Sequence, residues 1–241
     1  MPLQRTRLLP VARAGLLFDG VDDRVRVPVS STLSNFTAKS VVLWLKPLSY
    51  PDIWEPYDHG YWVSPFGDLF QNLRTTLVYY LRNTSGTVVY LSYSLPSEIL
   101  YTWIHVATSW DGSIARLYVN GVKVVESSFS GVLASSAYSL TIGSRYDDIY
   151  PYKGLVGGVL IYRRALTDEE VLWNFYYPDN PVRNGLVLWL HWDSIDTDKG
   201  VWYDKSGFGN HATLYGNPVK EDVLLSPKRL LSPTRTLTPV R

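Results

Sequence analysis

The stretch Trp103–Glu126, WIHVATSWDGSIARLYVNGVKVVE, constrains the fold more than any other part of the chain. Asp111-Gly112 and Asn120-Gly121 accept positive φ at little cost, and each lies between alternating apolar runs, so the stretch predicts three antiparallel strands joined by two tight turns. In the middle strand Ala115, Leu117 and Val119 share one face and Ile114, Arg116 and Tyr118 the other. A sheet with one such buried face needs a second layer, which points to an all-β sandwich.

The segments on either side extend this pattern. Gly15–Pro28 predicts two short strands around Asp19-Gly20. Asn35–Lys46 alternates Val41, Leu43, Leu45 against Val42, Trp44, Lys46, and two mostly apolar faces predict a central strand. Periodicity lapses from Tyr50 to Phe70, which reads as an aromatic, acidic loop. Strands are expected again at 76–82, 87–93, 140–143 and 155–162, with a second polar aromatic insert at Tyr146–Tyr152. One short helix is predicted after Leu166, where Thr167 and Glu170 form a capping box and Asp168 and Glu169 complement the helix dipole. From Gly185 to Pro218 strand signals return, with Leu186, Leu188 and Leu190 alternating against Val187, Trp189 and His191.

Composition sets the remaining bounds. At 241 residues, 46% hydrophobic and 19% charged, the chain supports one large core, and a net charge of +1 gives no bulk attraction to nucleic acid or acidic membranes. There is no cysteine, so disulfides, thiolate catalysis and cysteine-ligated metal are excluded. Eighteen Tyr and nine Trp supply both strand formers and flat amphipathic surface. No run of ~20 apolar residues spans a membrane. The N-terminal arm, residues 1–13, is basic and lacks the continuous apolar run of a secretory signal, so a protein made intracellularly without a signal peptide, or a virion protein, is expected, with an extracellular or cell-surface location as the alternative. The C-terminal arm, residues 219–241, carries a six-residue repeat of Ser-Pro and Thr-Pro units ending in Arg. It reads either as a flexible tail or as an ordered arm on a neighbouring subunit, and its basic units also resemble minor-groove contacts to nucleic acid.

Taken together, LLFDGVDDRVRVP, FTAKSVVLWLKP, WIHVATSWDGSIARLYVNGVKV and LTIGSRYDD with YKGLVGGVLIYRRALTDEEV resemble the laminin G-like, or concanavalin A-like, jelly-roll superfamily of lectins and glucanases. The resemblance implies an all-β, two-sheet antiparallel jelly-roll sandwich with one short helix, spanning residues 14–218. The segment 185–218, with Asp204-Lys205-Ser206-Gly207-Phe208-Gly209-Asn210-His211, is similar to the piece that normally begins such a domain, yet here it comes last. A truncated second domain, a circular permutation and a strand donated to the next copy are the three readings. The roughly eight residues between Tyr177 and Leu186 reach about 28 Å extended, which favours closure onto the chain's own sandwich.

The resemblance also implies calcium at the rim, with Asp19, Asp22, Asp204 and Asn210 as ligands, although Gly157-Gly158 stands where relatives often carry an acidic pair. Otherwise no cofactor is expected. The paired-carboxylate strand motif of laminarinase-type glycosidases is missing, the Asp168-Glu169-Glu170 run is explained by helix capping, and the four histidines lack a nucleophile signature, so no catalytic residue is assigned. Ligand contact is assigned to the two aromatic inserts, at Trp54, Tyr57, Asp58, Tyr61, Trp62, Tyr146, Asp147, Asp148 and Tyr150. Aromatic faces stack on sugar rings while carboxylates fix hydroxyls, and the same residues also suit packing or a protein interface. The functional expectation is a non-catalytic recognition and assembly module, a structural surface component of a phage or viral particle whose partners are its own copies or other particle proteins. The alternative is a carbohydrate-binding adhesin or lectin domain, and a third reading is a glycoside hydrolase.

Overall fold

The computed structural model describes residues 14–49, 52–62, 66–96, 99–133 and 138–222. The basic arms fall outside these residues, except that 219–222, assigned by sequence to the C-terminal arm, form a strand. All strand pairings are antiparallel. A front layer contains β1 (Ala14–Asp19), β3 (Lys39–Pro47), β8 (Ile104–Trp110), β9 (Ile114–Val119), β10 (Val122–Ser128), β12 (Lys153–Tyr162), β13 (Leu186–Asp196) and β16 (Val219–Asp222). A back layer contains β2 (Arg24–Val27), β4 (Trp54–His59), β5 (Asp68–Leu73), β6 (Thr76–Arg82), β7 (Val88–Ser94), β11 (Leu140–Ile142) and β15 (Ala212–Tyr215), and β14 (Val201–Asp204) carries the hydrogen bonding from β13 into β15. The path β10-β9-β8-β3-β12-β13-β14-β15-β2-β11-β4-β5-β6-β7 is continuous, and its two ends come back into contact, so the sandwich is nearly closed. Among the described residues no helix is long and apolar enough to cross a membrane.

The predicted meander forms. Asn120 (φ 49°) and Gly121 (φ 78°) are both left-handed between the paired Val119 and Val122, as a type I′ turn requires. The Asp111 turn is longer than two residues, because the Asp111 carboxylate accepts from the backbone N–H of Ser113 and Ile114 and the paired positions move out to Trp110 and Ala115. Around Asp19-Gly20 the two predicted strands also form, but in different layers: β1 pairs with β12 and β16, and β2 with β11 and β15. The 50–70 segment contains the hairpin β4–β5 where a loop was expected. Its alternation is hidden by a register shift between Trp54 and Tyr57.

β12 is the organising strand. One edge pairs with β3 over its whole length; the other pairs with β1 from Lys153 to Val156 and then with β13 from Gly158 to Tyr162. The register shifts at Gly157, where the neighbour changes, and a Cβ on Gly158 would come within 3.1 Å of the Leu190 carbonyl. In this structure the displaced segment therefore completes its own chain's sandwich.

The inter-layer core includes Leu16, Phe18, Val41, Leu43, Val106, Leu117, Val159 and Leu188 from the front and Trp54, Tyr57, Phe70, Tyr79 and Leu91 from the back. The front layer is buried on its other face as well. There Val42, Ala107, Tyr118, Leu160, Tyr162 and Trp189 pack beneath α1 (Asp168–Tyr176) and Leu166, which explains the two apolar faces of β3. The capping box of Thr167 and Glu170 is present in both directions. His105 sits under the helix between Trp44 and Phe175, with ring centroids 5.0 and 5.4 Å away, and neither ring nitrogen has a partner.

One polar group bridges the layers. Lys39 Nζ of β3 lies 2.5 Å from Asp68 Oδ1 of β5, 2.9 Å from His59 Nδ1 and 3.1 Å from the Tyr57 hydroxyl. Asp68 Oδ2 accepts from the hydroxyls of Tyr79 (2.7 Å) and Tyr57 (3.2 Å). Both charged side chains are 1% exposed, and at this depth each depends on the other for compensation.

Trp54 is 1% exposed, packed on Tyr152. Trp54→Ala is expected to cost roughly 3–5 kcal/mol in urea unfolding. Burial holds His105 at a pKa of about 3, from 6.5, so the native state refuses a proton that the unfolded chain accepts. Stability is complete above pH 6.5 and is expected to fall as pH drops toward 3. The urea midpoint of His105→Phe should lose that part of the slope.

Candidate functional site

The outer face of the back layer collects chemistry that strand alternation directs away from the core. Tyr57, Phe70, Tyr79 and Leu91 point inward along one cross-strand row. The neighbouring row, Asp58, Leu69, Tyr80 and Tyr90, therefore points outward, as do Gln71, Val78 and Ser92. The rings of Tyr61 and Tyr80 lie 5.4 Å apart, Tyr80 and Tyr90 6.2 Å, and Tyr61 meets Trp62 edge-on at 4.9 Å. Exposure rises along this strip to 41% at Trp62 and 65% at Tyr90.

Asp58 joins the two aromatic inserts of the sequence. Its carboxylate accepts from the backbone N–H of Tyr61 (3.1 Å) in the first and of Tyr146 (3.0 Å) in the second. The Glu55 N–H donates to the Tyr150 carbonyl at 3.1 Å. Arg145 then projects over Trp62, Tyr146 and Tyr150, with 5.2 to 5.7 Å between guanidinium and ring centres, while Asp147 neutralises it through a bidentate pair at 2.7 and 2.6 Å.

Glu55 is the unusual group on this face. Its side chain is fully buried; Oε1 accepts from Gln71 Nε2 at 2.7 Å, and Oε2 has no partner of ordinary hydrogen-bond geometry. Burial first, and then the charge of Asp58, push its carboxyl up to about 8, against smaller opposing contributions from Gln71, Arg145 and the nearby Trp62 indole. Asp58 is itself pushed up to about 6 by burial, opposed by the backbone N–H groups of Tyr146, Tyr61 and Gly60. At neutral pH Glu55 is thus protonated beneath this face, hydrogen-bonded to the Gln71 amide.

The nine ligand residues assigned by sequence divide accordingly. Trp54, Tyr57, Asp58 and Tyr61 are buried and offer no open ring or carboxylate, because β4 is a sheet strand and not an exposed loop. Trp62 and Asp147 are exposed and Tyr146 and Tyr150 half-buried on the face. Asp148 turns toward β2, paired with Arg24 and Arg26 at 2.9 and 2.6 Å. Glu55, Gln71, Tyr80, Tyr90 and Arg145 were missed. The signal for the tyrosines was the two-residue period of TLVYYLR and VVYLSYS, which puts Tyr80 and Tyr90 on the non-core face.

The four residues assigned to calcium divide into two places. Asp204 accepts from the backbone N–H of Trp189, Ser206 and Asn210 and from the Ser206 hydroxyl, and the Asn210 amide donates to Thr32 and to the Val187 carbonyl. These residues lock the 204–210 turn onto β13. Asp19 and Asp22 gather instead with Asp23, carboxylate oxygens within 4.8 Å of one another, beside a depression of about 140 Å³. Asp23 in turn accepts from the N–H of Asp19 and Asn217, a structural closure of that end.

The Glu55 carboxyl has a raised folded pKa, so its proton supports the fold fully below pH 4.5, and that support is lost as pH rises toward 8. Glu55→Gln keeps the Gln71 partner without a titrating group. It is expected to match the parent at pH 4 and to exceed it at pH 8 by about 4 kcal/mol in urea unfolding.

The family model described as concanavalin A-like lectin/glucanases superfamily matches residues 19–172. No curated protein matches the chain. Among solved structures, a candidate carbohydrate-binding protein from Bacteroides ovatus ATCC 8483 superposes with a TM-score of 0.70 at 17% identity, over 89% of this chain and 61% of that one. The chain thus spans less than two thirds of that protein's length. Domain 4 of a GH43 extracellular arabinanase from Geobacillus stearothermophilus, in complex with arabinotriose, has a TM-score of 0.52 at 21% identity over 66% of this chain and 75% of that one. The native heptameric SAP-like pentraxin from Limulus polyphemus has a TM-score of 0.52 at 15% identity, covering 69% and 83%. At these identities the structural likeness is one of fold, whereas the family model covers well over half of the sequence: the chain belongs to the concanavalin A-like lectin/glucanases superfamily.

Proposed function

We propose that this chain is a non-catalytic carbohydrate-recognition module and that its binding surface is the outer face of the back layer, from Trp62 across Tyr80 to Tyr90. The observation that carries the reading is the exposed ring strip that ends in Trp62 and Tyr90. Ring faces match the C–H surfaces of sugars. The arabinotriose-bound arabinanase domain and the Bacteroides protein, both of this fold, support the reading. Asp58 supports a role without catalysis, since its carboxylate is taken up by backbone N–H groups on both sides. The particle-surface role expected from sequence rests on the basic arms, and the described residues add no observation to it.

A glycan array carrying arabinotriose and other neutral oligosaccharides, followed by calorimetric titration of the hits, tests the proposal. Tyr90→Ala and Trp62→Ala are each expected to weaken binding roughly tenfold, with melting temperatures close to the parent's. An array without hits, or hits that both variants bind like the parent, would remove the reading.

A further inference from the structure

The Lys39–Asp68 pair has no role in the proposed binding face, and its surroundings are those of a condensation site. Lys39 Nζ touches Asp68 Oδ1 at 2.5 Å, which with a C–O bond of about 1.2 Å puts it no farther than about 3.7 Å from Cγ, at the edge of near-attack range. His59 Nδ1, 2.9 Å from Nζ, is placed to take a proton from the amine. The hydroxyls of Tyr79 and Tyr57 both donate to Oδ2, polarising the Cγ–Oδ2 bond as an oxyanion-stabilising pair would. The Phe36 ring closes over Nζ at 4.5 Å, and both side chains are 1% exposed.

We infer that Lys39 and Asp68 condense after folding into an intramolecular isopeptide bond joining β3 of the front layer to β5 of the back layer. A proton moves from the ammonium to the carboxylate, giving amine and acid with no change of net charge. Burial pushes the Lys39 ammonium down in pKa, against the charge and hydrogen bond of Asp68, and holds the His59 imidazole well below its usual value and thus free to accept. The Nζ lone pair attacks Cγ, the N–C bond forms, and His59 takes the second proton from Nζ. It returns that proton to Oδ1 as the C–Oδ1 bond breaks, and one water leaves. Ammonium plus carboxylate thus become a secondary amide plus water, with no oxidant or other reactant required. Oδ2 remains as the amide oxygen, still held by Tyr79 and Tyr57. In a chain without cysteine this bond does what a disulfide would, tying the layers across 29 residues of sequence.

The test is the mass of the intact, folded and then denatured full chain. We expect it to fall short of the sequence mass by one water, with trypsin no longer cutting after Lys39 and a single branched peptide containing Lys39 and Asp68. Asp68→Ala and Lys39→Arg should show the full mass, and His59→Gln should acquire the deficit more slowly than the parent. An unmodified mass after prolonged incubation of the folded parent overturns the inference. So does a water deficit that maps to the Asp19-Gly20 or Asp111-Gly112 succinimide while Lys39 remains open to trypsin. Because the parent protein supplies the deciding result, a variant that fails to fold leaves the test intact.

Discussion

The split pairing of β12 is the constraint on which the sandwich depends. A ten-residue strand holds β3 along one edge and divides the other between β1 and β13. If either partner were missing, a length of buried sheet edge would be left with unpaired N–H and C=O groups, which folded proteins avoid. The two glycines at the junction accommodate the change of neighbour, with the register shift at Gly157 and the close approach of the Leu190 carbonyl at Gly158. Filling that edge from the end of the sequence also brings β15 against β2, which continues the back layer.

From this closure follows an unusual division of polar and aromatic residues between the two faces of the back layer. The inner face holds Lys39 against Asp68, and the outer face holds rings over a buried carboxyl that keeps its proton. Both follow from depth. Inside, Lys39 and Asp68 are held by each other, by His59 and by the hydroxyls of Tyr57 and Tyr79. Outside, Asp58 pins two inserts together and Arg145 spreads over three rings, while burial and the charge of Asp58 hold the Glu55 carboxyl protonated against the opposing charge of Arg145. A surface of fixed rings loses little conformational freedom on binding.

Much of the architecture was legible in the sequence because its signals were local. The Asn120-Gly121 turn, the apolar β3 and the Thr167–Glu170 capping box each depend on residues within a few positions of one another. What failed to read was long-range. Trp54 and Tyr57 looked like loop aromatics because the irregular register of β4 breaks the alternation that would have marked them as core. That β1 and β2 lie in different layers could not be read, because nothing near Asp19-Gly20 reveals that the chain crosses there. Asp204 and Asn210 were assigned to calcium through the family resemblance, and their part in locking the 204–210 turn depends on Trp189, Val187 and Thr32, which are distant in sequence. Tyr80 and Tyr90 could have been placed outward from period two alone, but Glu55 as their neighbour required the fold.

Recognition on the outer ring strip of the back layer is tested most directly by a crystal structure of the chain soaked with a neutral oligosaccharide selected by binding. A sugar ring seated over Tyr80 and Tyr90 is expected. A sugar seated at the Asp19–Asp23 end of the sandwich, with the ring strip bare, would contradict it.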